Sequence, residues 1–152
     1  MSHSVEAIET LVRELFRRNS SCGKESNEDL FTEDAGYEGA YHNQYFDGAH
    51  AISKMHCGVV PLLFNPFVVT PVAIYPVVGG NEVIVECESD GVSLHTGRKY
   101  SNKYAGFMQL RDGKICWWRE YYDPQAFMNA VGPEIVEIME RIMPPNSIKE
   151  KK

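Results

Sequence analysis

No two cysteines of this chain stand in a C-x-x-C arrangement. Cys22, Cys57, Cys87 and Cys116 are widely separated, which removes a zinc cluster or a dithiol redox motif and reads as four reduced thiols. A basic stripe is also missing. Against 21 acidic residues there are 15 basic ones, for a formal charge of -6. The only dense basic runs, Arg17-Arg18 and Lys149-Glu150-Lys151-Lys152, read as solvated ends, so neither nucleic acid nor an anionic membrane is expected as a partner. The opening MSHSVEAIETLV lacks the basic segment and apolar core of a signal peptide, and no apolar run approaches the length of a bilayer-spanning helix. A cytoplasmic location is the expectation. The acidic row Glu82, Glu86 and Glu88 has no interleaved histidine, so no metal is expected there and the row reads as a solvated or interface face. Internal repeats, linkers and low-complexity segments are absent as well.

What remains is ordinary globular material. At 152 residues and 43% hydrophobic side chains, the chain can build a sizeable core, and it reads as one domain over 1–152 with 143–152 as a frayed, charged tail. Val5, Ile8, Leu11, Val12, Leu15 and Phe16 recur at helical spacing behind Ser4, a fitting N-cap. Glu28 to Ala35 suits a short helical turn, and Gly36 to Phe46 one or two short strands ended by Asp47-Gly48. Ile52, Met55, His56 and Val59 mark a second helix, which Pro61 or Asn65-Pro66 must end. Phe67 to Val78 is β-branched and alternating, but Pro71 and Pro76 each remove a ladder donor and make it an edge or irregular strand. Val83, Val85 and Cys87 oppose Glu82, Glu86 and Glu88 in a half-buried strand, followed from Asp90-Gly91 to Gly97 by a loop or ragged strand. Asp123-Pro124 caps a short helix that Gly132 stops, and Ile135, Ile138, Met139 and Ile142 line a last one. Helices first and then mostly antiparallel strands describe an α+β domain with helices packed on one face of a curved sheet.

The segment from Arg98 to Phe127 says most about function. Two long strands flank Asp112-Gly113, a pair suited to the positive backbone angles of a tight hairpin turn. Tyr100, Asn102 and Tyr104 alternate on one strand and Trp118, Glu120 and Tyr122 on the other, so one face presents hydroxyls, an amide and a carboxylate beside large rings. That lining suits a pocket better than a plain core. Trp117, Arg119 and Tyr121, of opposite parity, fall on the outer face and suit a dimer interface.

With LFTED at Leu30 to Asp34, F-D-G at Phe46 to Gly48, V-E-C at Val85 to Cys87, Y-x-N at Tyr100 to Asn102, L-x-D-G-K from Leu110 and R-E-Y at Arg119 to Tyr121, the chain resembles the SnoaL-like branch of the nuclear-transport-factor-2-like superfamily. Within it the phenazine-biosynthesis A/B proteins are the most similar. The resemblance implies a cone-shaped roll, in which a strongly curved antiparallel sheet and about three helices enclose a pocket, and a homodimer formed across the outer sheet face. It also implies that Glu120 matches the acid/base glutamate of the phenazine proteins. Their histidine on the second helix falls at Met55 when counted from Gly48, with His56 one residue later. The aspartates of epoxide hydrolases and the tyrosine and aspartate set of ketosteroid isomerases have no match, and superfamily membership by itself names no reaction.

Glu120 against rings in a water-poor cone should have its pKa raised toward neutrality, which suits proton transfer; its bland alternative is a surface pair with a lysine or arginine on the other face. His56 is either an assisting base or a satisfied core histidine, and His95 belongs at the pocket mouth or outside; His3, His42 and His50 carry no signal. Asn102 and Tyr104 either orient a substrate oxygen or hydrogen-bond within the sheet, while Tyr100, Trp118 and Met55 shape the site. The expectation is a small homodimeric enzyme of secondary metabolism acting without metal or other cofactor on an apolar or aromatic small molecule. Its reaction would be proton transfer: isomerisation, cyclisation or dehydrative condensation. A non-catalytic binding module or dimeric scaffold is the alternative, and a hydratase or epoxide hydrolase the second.

Overall fold

The computed structural model describes residues 2–40, 44–142 and 149–150. It is an α+β fold around one curved sheet. Helix α1, Val5–Asn19, starts where the Ser4 hydroxyl accepts from Ala7 N–H at 3.1 Å, and it buries the stripe of Ile8, Val12, Leu15 and Phe16 against the sheet. Arg17 and Arg18 at its end are tied to Glu14, Glu25 and Asp29, which uses up the one internal basic run.

Strand β1, Phe31–Gly39, begins four residues before the expected helical turn was to end; only Glu28–Leu30 is helical, as a 3-10 turn. The sheet overrides local preference here, because Phe31 and Ala35 are fully buried and β1 pairs in parallel with β6, Lys114–Tyr122. Strand β2, Gln44–Asp47, pairs antiparallel with β1. The second helix is broken in three: α2, Ala49–Ser53, a π-helical turn Lys54–Val59, and α3, Val60–Leu63. In the wide turn Val60 N–H donates to Met55 O, five residues back, and Pro61 follows in the first turn of α3 where its missing N–H is not needed. Of the two expected terminators, the chain therefore uses Asn65-Pro66.

Strand β3, Phe64–Pro76, lies at the sheet edge, as its prolines require. Strand β4, Glu82–Ser93, does not stop at Asp90-Gly91. Gly91 is there for close approach rather than for a turn, since a Cβ on it would lie 2.8 Å from Pro66 O of β3. Strand β5, Lys99–Arg111, joins β6 through Asp112 and Gly113, with φ of 53° and 78°. Helix α4, Pro124–Val131, is capped by Asp123, whose carboxylate accepts from Gln125 N–H at 2.9 Å, and Gly132 at φ 82° ends it. Helix α5, Ile135–Ile142, follows, and β7, Lys149–Glu150, pairs with β2. The rest of the tail expected to fray lies outside the described residues, as does His42.

The interior holds two apolar clusters. One joins α1, α2 and the sheet through Phe31, Ile52, Val85, Met108 and Trp118; the other joins α3, α4 and α5 through Leu63, Phe64, Tyr100, Val131 and Ile138. Met55 and Phe67 pack against both. Polar side chains of β1, β4, β5 and β6 lie along this interior face.

Candidate active site

The β5–β6 register sets Gly106 opposite Glu120, Met108 opposite Trp118 and Tyr104 opposite Tyr122, and β4 sets Ser89 opposite Asn102. Tyr100, Asn102, Tyr104, Trp118, Glu120 and Tyr122 therefore share the inner face. Gly106, opposite Glu120, lets the Trp118 indole lie close over its backbone, since a Cβ on it would come within 3.2 Å of Trp118 Nε1. Trp118 itself stacks with Phe31, at 6.2 Å, and with the His56 ring, at 4.7 Å. Its indole N–H is buried with no hydrogen-bond partner among the described residues.

Glu120 is 7% exposed. The Tyr37 hydroxyl donates to its Oε1 at 2.9 Å, and among the described residues no donor reaches Oε2. Burial pushes the carboxyl up to about 7, with the Tyr37 bond pulling partly back. Among the described residues no cation contributes, because the arginine beside it in sequence points the other way: the Arg119 guanidinium lies over the rings of Phe107 and Tyr121 at 5.4 and 5.7 Å. The carboxyl is thus on the ring-lined side of the sheet and not in a surface ion pair.

His56 stands on the π-helical turn, half-buried, edge-on to Tyr37 at 5.0 Å. Its Nδ1 donates to Ile52 O at 2.9 Å, and burial pushes its pKa down to about 4. The ring is therefore neutral at physiological pH, with Nε2 an acceptor that no donor reaches among the described residues. Met55, next to it, packs between the two apolar clusters.

A hydroxyl ladder runs beside the carboxyl. Ser89 Oγ lies 3.0 Å from the Tyr104 hydroxyl, which lies 2.9 Å from that of Tyr100. Asn102 ends the ladder. Its Nδ2 donates to the Tyr100 hydroxyl and to Asp123 O, and its Oδ1 accepts from Lys103 and Asp123 N–H. All four hydrogen-bonding positions of the amide are taken inside the protein, so Asn102 holds β5 to the cap of α4. Burial raises the pKa values of Tyr37, Tyr100, Tyr104, Tyr122 and Cys87, keeping these groups protonated.

Tyr37, Ser89 and the ring cluster of Phe64, Phe67 and Phe127 around Tyr100 were not anticipated. Ser89 was within reach, since it continues the inward parity of Val85 and Cys87 once β4 is allowed to run on. Tyr37 carries no local signal, because its contact depends on a parallel pairing 83 residues away. His95 is exposed in the turn after β4, where its N–H donates to Ser93 Oγ. Among the described residues no three His, Cys, Asp or Glu side chains gather to hold a metal ion, and no helix is long and apolar enough to cross a membrane.

The sequence profile of the SnoaL-like domain matches residues 12–118. A curated relative, the uncharacterized protein YesE of Bacillus subtilis, is 31% identical over 71 residues, 47% of this chain, and the match spans about half the length of that relative, 48%. A solved structure of a candidate isomerase from Bacillus subtilis superposes with a TM-score of 0.73 at 25% identity, covering 82% of this chain and 92% of that one. A candidate SnoaL-like polyketide cyclase from Jannaschia sp. CCS1 superposes with a TM-score of 0.71 at 18% identity, covering 88% and 98%.

Proposed function

The chain belongs to the SnoaL-like domain family, and from that premise we propose that it is a small-molecule enzyme that moves a proton within an apolar or aromatic substrate, with Glu120 as the shuttling group. The observation that carries this is the state of Glu120: buried, hydrogen-bonded by one phenol, unpaired with any described cation, and pushed up to about 7. An acid poised near ambient pH exists in comparable amounts with and without its proton, which is what a group that both takes and returns one needs. Tyr37 fixes the carboxyl, leaving Oε2 to face the substrate. His56, neutral and with Nε2 unpartnered among the described residues, accepts a proton or a hydrogen bond from the substrate but has none to give from that atom. Tyr104 offers its hydroxyl to a substrate oxygen from the ladder, and Asn102 positions Tyr100 and Tyr104 instead of touching substrate.

Isomerisation, cyclisation and dehydrative condensation all need this proton movement, and the isomerase and cyclase names of the fold relatives fit that class. The likeness of R-E-Y at Arg119 to Tyr121 to the phenazine A/B proteins supports the same role for Glu120. We place the reaction in secondary metabolism and in a cytoplasmic homodimer built across the outer sheet face. There Trp117 stacks on Tyr45 at 5.9 Å and Arg119 covers Phe107 and Tyr121.

The test is deuterium uptake from solvent into a panel of aromatic and polyketide-like cyclic ketones, read by mass spectrometry. The wild-type protein should label at least one of them, and Glu120→Gln should lower that rate by about a hundredfold or more while leaving the circular-dichroism spectrum and melting temperature in place. Undiminished exchange in Glu120→Gln would remove the mechanism.

A further inference from the structure

His3, which carries no signal in the sequence, is built into the fold at the start of α1. Its backbone N–H and its Nδ1 both reach Gly80 O, at 2.9 and 3.0 Å, and its Nε2 lies 2.8 Å from the backbone nitrogen of Gly113. The ring thus bridges two turns, the one between β3 and β4 and the one between β5 and β6. Gly80, at φ 73°, leaves room for it: a Cβ there would lie 2.7 Å from His3 O and 3.0 Å from Ser2 Cβ. These partners fix the tautomer. A carbonyl only accepts, so Nδ1 carries the hydrogen; a backbone N–H only donates, so Nε2 carries none. At the other end of α1 the Ser20 hydroxyl oxygen accepts from Val69 N–H at 3.0 Å, a contact with no proton to gain or lose. Between the two attachments Phe16 stands edge-on to Trp118 at 5.9 Å, so the helix roofs the interior that holds Glu120.

We infer that His3 is a pH-sensitive latch: the neutral ring clips the start of α1 to both turns at this end of the sheet, and protonation releases it. An imidazolium carries a hydrogen on Nε2 as well as on Nδ1, and two hydrogens cannot share the 2.8 Å between Nε2 and the Gly113 nitrogen. Its charge would also stand one residue before the Ser4 N-cap, where the helix dipole opposes it. The ionisable groups on the elements that meet the ring are Glu6 on α1, Glu82 at the start of β4, and Arg111, Asp112 and Lys114 around the hairpin turn, all of them exposed. Arg111 is tied to Asp34. The carboxylates favour the imidazolium and the cations oppose it; screened by salt, these exposed charges move the midpoint but do not supply the missing acceptor. The sign follows. The latch is closed while the ring is neutral and is lost as pH falls from about 7 to about 5, where imidazoles take up their proton. Ser20 holds throughout that range, so α1 loosens from its N-terminal end alone. The inference depends on neither turnover nor a ligand.

The experiment is NMR of the full chain with nothing added at its N-terminus. Long-range nitrogen–proton spectra of the histidine rings, with His3→Ala to assign the His3 signals, read the tautomer directly. Near pH 8 the ring should be protonated at Nδ1 and not at Nε2, the reverse of the form that predominates for histidine in water. Exchange of the Gly113 amide with solvent, read by magnetisation transfer and divided by its intrinsic rate, should be about tenfold faster near pH 5.5 than near pH 8. The Val69 amide at the far end of α1 should keep its protection. In His3→Ala the Gly113 amide should be as open near pH 8 as it is in the wild type near pH 5.5, with no further change on acidification. Glu120, pushed up to about 7, titrates in the same window, and this variant, which retains Glu120, separates the two groups. His56, pushed down to about 4, takes its proton below that window. A His3 ring protonated at Nε2 near pH 8, Gly113 protection that does not change with pH, or a pH dependence undiminished in His3→Ala would overturn the inference.

Discussion

At Glu120 two forces oppose each other: desolvation favours the protonated acid, and the Tyr37 hydroxyl favours the carboxylate. Desolvation is the larger, and it has a consequence for stability. A carboxyl raised from 4.5 to about 7 binds its proton more tightly in the fold than in the unfolded chain. Its contribution is fully present below pH about 4.5 and is lost as pH rises through about 7, by an amount on the order of 3 kcal/mol. Glu120→Gln, which is never charged, should therefore match the wild type near pH 4 and be more stable than it near pH 8, as urea unfolding at the two pH values would show; equal stability at both would mean the charge is not buried. The direction of this pKa shift was legible in the sequence, because Trp118, Glu120 and Tyr122 share parity on a strand whose turn is marked by Asp112-Gly113. The Tyr37 contact was not. It comes from a strand far off in sequence and from a parallel register, for which a local pattern holds no information.

Among the elements, those set by short-range chemistry followed the sequence closely. The hairpin turn, the Ser4 and Asp123 caps, the Gly132 stop and the proline-marked edge strand all depend on residues within a few positions of each other. Two that depend on neighbours across the fold did not: β1 is drawn into strand at Phe31 by β6, and β4 runs through Gly91 because β3 packs against its backbone. The π-helical turn was likewise invisible, though it decides where Met55 and His56 stand. Asn102 tests how elements are joined. Its amide links β5 to the start of α4, and Asn102→Ala would leave the buried Tyr100 hydroxyl and the Asp123 backbone short of partners. That change should cost about 1–3 kcal/mol in urea unfolding. In the exchange assay its effect should be well below that of Glu120→Gln, since Asn102 positions groups and does not meet the substrate; a loss as large as that of Glu120→Gln would move Asn102 into the chemistry.

On the scale of the whole molecule, one interior perturbs Glu120 and His56 in opposite directions by the same burial. The carboxyl holds its proton near neutrality while the imidazole refuses one, so a single interior offers both a donor and an acceptor at the same pH. Everything functional in this account depends on that carboxyl titrating late. The direct measurement is NMR of protein labelled at the glutamate carboxyl carbons, titrated through pH 4 to 9, with Glu120→Gln to assign the resonance. One signal should move with a midpoint of about 7 and be missing from the variant. A Glu120 signal that titrates near 4.5, with the exposed glutamates, would contradict the account.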